Sequence, residues 1–162
     1  MSGLSHVGAD GRASMVDITD KADTERRAVA EGQLCCAAET VGLVREGRTP
    51  KGAVISTAEL AGIMAAKKTA DLVPLCHPLP LSKVAVTIAA DDSLPGFHVS
   101  AEVKTRGATG VEMEAITAVS IACLTLFDML KAVDRGMVIG EIRVTAKSGG
   151  RSGSWQDPLR VR

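Results

Sequence analysis

Apolar and polar residues alternate most cleanly over Phe97, Val99, Ala101 and Val103 against His98, Ser100, Glu102 and Lys104. A period of two predicts a half-buried β-strand over 97–104. Ile142, Val144 and Ala146 alternate in the same way with Glu141, Arg143 and Thr145, which predicts a last strand. Ser82 to Ala90 is apolar-rich and runs into the turn Asp91-Asp92-Ser93-Leu94-Pro95-Gly96, so it predicts the strand before that turn. Ala28 to Cys36 has β character, weakened by Gly32.

Elsewhere the period becomes helical. Glu39 to Glu46 predicts a short helix closed by Gly47. Ser56-Thr57-Ala58-Glu59 matches a capping box, and Leu60, Ile63, Met64 and Lys67 continue at helical spacing up to a stop before Pro74. The stretch Thr105 to Asp134 opens with Glu112 and Glu114, runs uncharged from Ala115 to Phe127, and places Asp128 and Lys131 one turn apart at its far end. The order is strand, helices, strand, strand, helix, strand. This βαββαβ pattern predicts an α+β, ferredoxin-like sandwich with an antiparallel four-stranded sheet and helices on one face. Residues 1–27 read as an N-terminal arm, 28–147 as the catalytic domain, and 148–162 as a flexible, glycine-rich basic tail.

A helix apolar on nearly all sides needs burial on nearly all sides. One sheet covers one face, so a second subunit is expected on another. Glu114 and Asp128 differ by only about 40° around the axis but lie roughly 21 Å apart along it. They cannot share a site within one straight helix. Two such helices packed antiparallel across a two-fold axis bring Glu114 of one copy toward Asp128 of the other.

Charge and composition narrow the function. The chain has 19 basic and 19 acidic residues and only three aromatics (Phe97, Phe127, Trp155), which gives no pull toward nucleic acid and no base-stacking surface. No apolar run reaches the roughly 18 residues of a membrane span, and the N-terminus lacks the apolar region of a signal peptide, so a cytoplasmic protein is expected. Cys35, Cys36, Cys76 and Cys123 have no metal-finger spacing and read as free thiols.

The candidate chemistry is carboxylates, an imidazole and lysines. Lys51 sits in the turn Thr49-Pro50-Lys51-Gly52, and Cys76-His77 lie on a proline-stiffened loop from Pro74 to Pro80. Glu112, Glu114, Asp128 and Lys131 complete a set suited to acid/base catalysis and to neutralising phosphate. Each has a structural alternative. Thr109-x-x-Glu112 matches a capping box, Glu114 and Lys131 suit the helix dipole, and Asp128 can pair with Lys131 at (i, i+3). The charged segment Asp17 to Arg27 is either a solvated arm or one that folds over a site and brings Lys21 and Arg26 to an anion. His98 and His6 read as solvated. Adjacent residues seldom ligate one zinc, so no metal site is assigned to Cys76-His77. No Walker loop, GxGxxG, HExxH or GxSxG occurs. The residues therefore point to an oligomeric enzyme for an anionic small molecule. The rivals are a non-catalytic module, in which the helix ends only register a dimer, and a metal hydrolase built on Cys76 and His77.

The segments MVDITDKADTERRAVAEG, KGAVISTAELAGIMAAKKTADLVPLCHPLPLSKV, TGVEMEAITAVSIACLTLFDMLKAVDRGMVIG and VTAKSGGRSG closely resemble the MoaC family, the cyclic pyranopterin monophosphate synthases of molybdenum cofactor biosynthesis. The resemblance spans about Met15 to Gly153. It implies a lyase that converts 3′,8-cyclo-7,8-dihydro-GTP to cyclic pyranopterin monophosphate and releases pyrophosphate. Carried over by position, it implies catalytic roles for Asp128, Lys131 and Lys51. It implies substrate contacts from Leu75, Cys76, His77, Glu112, Met113 and Glu114, with Lys21 and Arg26 on the triphosphate. It further implies no required cofactor beyond Mg²⁺ accompanying that triphosphate. The expected partners are the nucleotide-derived substrate, five further copies in a hexamer built as a trimer of dimers, and an upstream radical S-adenosylmethionine enzyme, with no nucleic acid or membrane.

Overall fold

The computed structural model describes residue 7 and residues 10–160. His6 and the rest of 1–6, residues 8–9 and residues 161–162 lie outside the described residues. The chain runs β1 (Thr24–Cys35), α1 (Ala38–Arg45), α2 (Val54–Ala66), α3 (Thr69–Leu72), β2 (Leu81–Asp91), β3 (Gly96–Gly107), α4 (Glu112–Leu130), β4 (Val138–Ser148), β5 (Trp155–Gln156) and a closing 3₁₀ turn at Pro158–Arg160. Every expected strand is present, with β1 starting at Thr24, inside the segment read as arm; of the helices, the one expected to run up to Pro74 divides into α2 and α3, and the long one is confined to Glu112–Leu130. The sheet is antiparallel throughout, in the order β2-β3-β1-β4-β5. It has five strands where the sequence pattern predicts four. The extra strand is Trp155–Gln156, in the segment read as tail, and it pairs with Ala146 and Lys147. The buried Asp157 anchors it: its carboxylate accepts from Arg143 Nε at 3.0 Å, and its amide donates to the Thr145 carbonyl.

The alternation read from the sequence becomes the two faces of the sheet. Ala28, Ala30 and Leu34 of β1 and Phe97, Val99, Ala101 and Val103 of β3 are fully buried in one cluster with Ala115, Ala118, Val119, Ala122, Cys123, Leu126 and Leu130 of α4. On the opposite face Glu102 receives Arg27 and Lys83 at 2.6 and 2.8 Å, and these bonds hold its carboxyl below the ordinary range. The glycine that weakens β1 as a strand is required by packing. A Cβ on Gly32 would stand 2.8 Å from Val119 and 2.9 Å from Ile142, so its absence lets α4 lie against the sheet. Gly62 does the same between α2 and α4, where a Cβ would meet the Ala118 carbonyl at 2.8 Å.

Both capping boxes are replaced by tertiary bonds. Helix α2 starts at Val54 after Ala53, with no side-chain cap, and Glu59 accepts the amide of Ile88 on the edge strand β2 at 3.1 Å. Helix α4 starts after Val111, also without a side-chain cap, and Glu112 binds Lys147. By length and composition α4 could cross a membrane, but 56% of that stretch is buried inside the domain, which makes it the core helix of this fold.

The tight α2–α4 contact makes a prediction. Gly62→Val should lower the free energy of unfolding by about 1–3 kcal/mol through overpacking against Ala118, Val86 and Ala122, as measured by urea denaturation.

Candidate functional site

Three of the singled-out residues meet at the C-terminal end of α4. The turn expected at Thr49–Gly52 forms, with the Gly52 amide bonded to the Thr49 carbonyl and Gly52 at φ +83°, and it points Lys51 toward the helix. Lys51 Nζ donates to Asp128 Oδ2 at 2.8 Å and to the Asp128 carbonyl at 2.9 Å, while Lys131 Nζ donates to Oδ1 at 2.7 Å. Each carboxylate oxygen thus has its own ammonium. These bonds, Lys131 first and Lys51 second, hold the Asp128 carboxyl down at about 2. The three side chains are about half exposed. An (i, i+3) pair alone does not describe this clasp, because Lys51 arrives from 77 residues away. Just beyond the helix, Asp134 accepts the Ala37 amide at 2.8 Å, the Thr40 hydroxyl at 3.1 Å and the Gly136 amide at 2.9 Å. The segment that follows Lys131 is thereby tied to the start of α1.

A second group gathers at the N-terminal end. Leu75, Cys76 and His77 face Glu112, Met113 and Glu114 across a cavity of about 400 Å³, and Lys21, Val16 and Ile18 reach it from the arm. The arm therefore folds over this cavity and is not wholly solvated. His77 Nε2 donates to the Val16 carbonyl at 2.9 Å, which in the neutral ring leaves Nδ1 as an acceptor. Glu114 is buried, and burial, reinforced by Glu112, pushes its carboxyl up. Burial and the Glu114 charge push the Cys76 thiol up as well, away from the thiolate form that a nucleophile needs.

Lys21 also lines an adjoining cavity of about 520 Å³ with Arg26, Thr24, Gly150, Arg151 and Ser152. Arg26 is aimed by two carbonyls, Gly107 at 3.1 Å and Ala108 at 3.2 Å. The Gly149-Gly150 loop closes on it, since a Cβ on Gly150 would collide with its guanidinium and both glycines have positive φ, +102° and +71°. Arg26, Arg27, Lys147 and Glu112 border a third, smaller hollow beside these two. Sequence reasoning did not assign Lys147 and Arg151. Their signal was the run Lys147-Ser148-Gly149-Gly150-Arg151, two flexible glycines between cations, which is a composition suited to wrapping an anion.

The structure thus unites Lys51, Asp128 and Lys131, and separately unites Lys21, Leu75, Cys76, His77, Glu112, Met113 and Glu114 with Arg26 alongside. It does not bring the two groups together in one chain: α4 keeps them roughly 21 Å apart. His98 lies on the exposed face of the sheet, bonded to Asp91 at 2.8 Å. Among the described residues no group of three or more His, Cys, Asp or Glu side chains could hold a metal ion.

The result is an α+β scaffold with an ammonium-clasped carboxylate at one end of its core helix and carboxylates beside a cationic cavity at the other. Comparison with known proteins gives its class. The MoaC family profile matches residues 15–150, and the chain belongs to that family. Relatives named cyclic pyranopterin monophosphate synthase are 58% identical in Brucella melitensis biotype 2, with all of each chain covered. In Cereibacter sphaeroides KD131 the identity is 59%, covering 96% of this chain and 98% of the relative. In Methylobacterium sp. 4-46 it is 60%, covering 96% and 97%.

The clasp predicts a titration. The Asp128 carboxyl, followed by carbon-13 NMR, should titrate near 2 and move back toward the ordinary aspartate value of 3.8 in Lys131→Met, with a smaller move in Lys51→Met. Because the folded value is the lower one, the stabilising contribution is complete above the unfolded value and disappears as pH falls through about 2.

Proposed function

We propose that this chain makes cyclic pyranopterin monophosphate from 3′,8-cyclo-7,8-dihydro-GTP, releasing pyrophosphate, in molybdenum cofactor biosynthesis. The observation that carries this reading is identity of 58–60% to synthases of that name over essentially the whole chain. The site suits both halves of the reaction. Rearranging the purine-derived rings needs groups that give and take protons. Closing the cyclic phosphate needs a ribose-derived hydroxyl to attack the α-phosphorus, with loss of its proton to a base and of pyrophosphate as the α–β P–O bond breaks.

In this reading the ammonium groups of Lys51 and Lys131 face the reacting centre, and Asp128 holds them there and takes up a proton when one of them moves to substrate. A carboxylate whose pKa is held at about 2 is a weak base until that exchange occurs. His77, Glu112 and Glu114 hydrogen-bond the base-derived rings, with Leu75, Cys76 and Met113 as contacts. Lys21, Arg26, Lys147 and Arg151 neutralise the triphosphate and the leaving pyrophosphate. No resident cofactor is invoked, and Mg²⁺ enters only with the triphosphate.

A complete site takes two chains. Along α4 the positions Met113, Ile116, Ser120, Leu124 and Phe127 form an exposed or half-exposed stripe at helical spacing from one polar end to the other. Leu60 and Met64 on α2, 58% and 59% exposed, continue the apolar surface. Covering this stripe with the same stripe of a second copy, antiparallel, places the Glu114 end of one helix by the Asp128 end of its partner. Three such dimers make the hexamer. The first four strands, in the order β2-β3-β1-β4, form the ferredoxin-like part, to which β5 is an addition. The enzyme works in the cytoplasm, downstream of a radical S-adenosylmethionine enzyme that supplies its substrate.

Subunit mixing tests this arrangement. Glu114→Gln and Asp128→Ala should each lose at least about 10²-fold in single-turnover rate, on the scale of a removed acid/base group. Unfolded together and refolded as a mixture, they should recover about one quarter of wild-type activity, because half the dimers are mixed and each mixed dimer has one intact site. A mixture as inactive as its components would refute the shared site.

A further inference from the structure

Among the described residues, one buried side-chain polar atom has no hydrogen-bond partner: the hydroxyl oxygen of Thr24. A buried hydroxyl left unpaired costs on the order of 1–3 kcal/mol, and such orphans in folded proteins call for an explanation. Thr24 is the first residue of β1, opposite Gly107 in the ladder, and it lines the 520 Å³ cavity with Lys21, Arg26, Gly150 and Arg151. The atom is closed off, but the residue as a whole is only partly buried and belongs to the cavity lining. Threonine carries its hydroxyl, methyl and hydrogen on one tetrahedral carbon, so a step of about 120° about Cα–Cβ carries the hydroxyl into the place that the methyl or the hydrogen held.

We infer that Thr24 is a ligand-binding residue, whose hydroxyl turns into the cavity and donates to a phosphate oxygen held between Lys21 and the Arg26 and Arg151 guanidiniums. This rests on the reading of that cavity as the site of the triphosphate and deepens it. The cations supply attraction that any polyanion would feel. A hydroxyl with no partner in the empty protein supplies a directed donor whose bond is made only when the phosphate is present. The lost hydrogen bond is recovered on binding, so it adds to affinity without adding to the stability of the empty chain.

That asymmetry sets the test, with inorganic pyrophosphate as the probe. Thr24→Val keeps the shape and removes the hydroxyl; Thr24→Ser keeps the hydroxyl. Calorimetric titration of the full chain should show pyrophosphate bound about 10-fold to 150-fold more weakly by Thr24→Val and within about 2-fold of wild type by Thr24→Ser, as for one lost hydrogen bond to a charged group. Thermal unfolding without ligand should be unchanged or raised in Thr24→Val, since replacing an unpaired buried hydroxyl by a methyl removes a cost. Wild-type affinity in Thr24→Val would overturn the inference, and so would a lowered melting temperature with unchanged binding, which would assign the hydroxyl to the fold. Lys21→Ala and Arg151→Ala tell the two readings apart. If they weaken binding while Thr24→Val does not, the phosphate cavity stands and the role of Thr24 falls. If none of the three alters binding, both fall.

Discussion

Two missing side chains set the position of everything else. Helix α4 can lie against the sheet only because position 32 has no Cβ to strike Val119 and Ile142, and α2 can lie against α4 only because position 62 has none to strike the Ala118 carbonyl. Close approach buries seven alanine, valine, cysteine and leucine side chains of α4 completely, most of them small. A helix held this rigidly is a ruler. Its two ends are fixed relative to the sheet, to the Lys51 turn and to the proline-stiffened loop that carries His77, so the spacing between the two polar groups is a property of the core and not of the loops.

The ends of that ruler are electrostatically different. At one, a carboxylate is kept strongly acidic by two ammoniums in partly exposed surroundings. At the other, a buried carboxyl is pushed toward its neutral form and sits close to the His77 imidazole and a cavity of cations. Pairing groups whose environments move their proton affinities in opposite directions is how one protein gives and takes protons at a single pH. The MoaC family membership assigns that capacity to a reaction, and the antiparallel contact proposed for two α4 helices joins the opposite ends into one site.

Much of this was legible in the sequence, and the failures share one cause. The strands were readable because period-two alternation is set by a buried and a solvated face, as Phe97 to Lys104 shows. The gathering of Lys51 with Asp128 and Lys131, and of His77 with Glu112 and Glu114, at opposite ends of α4 was partly readable because polar residues interrupt otherwise apolar or rigid segments. The two capping boxes misled. Glu59 and Glu112 each have the right spacing to cap their own helix, but each is taken by a partner 29 or 35 residues away, the Ile88 amide and the Lys147 ammonium. Local spacing cannot reveal a competitor brought in by the sheet. The same blindness hid Asp134, whose three hydrogen bonds join α1 to the end of α4, and Trp155–Gln156, whose strand is too short to show a period.

The Lys147–Glu112 pair has one more consequence. An empty cavity that already contains a carboxylate carries its own counterion, so an incoming anion must compete with an internal one. Chloride or a carboxylate that takes the Lys147 ammonium breaks a 2.7 Å ion pair to get it, which is close to an even exchange. A chain of linked phosphates reaches Lys21, Arg26 and Arg151 as well and can release Glu112 at a net gain. The built-in carboxylate thus sets a threshold on ligand valence: under the reading proposed for this cavity, it favours a polyphosphate over any singly charged anion.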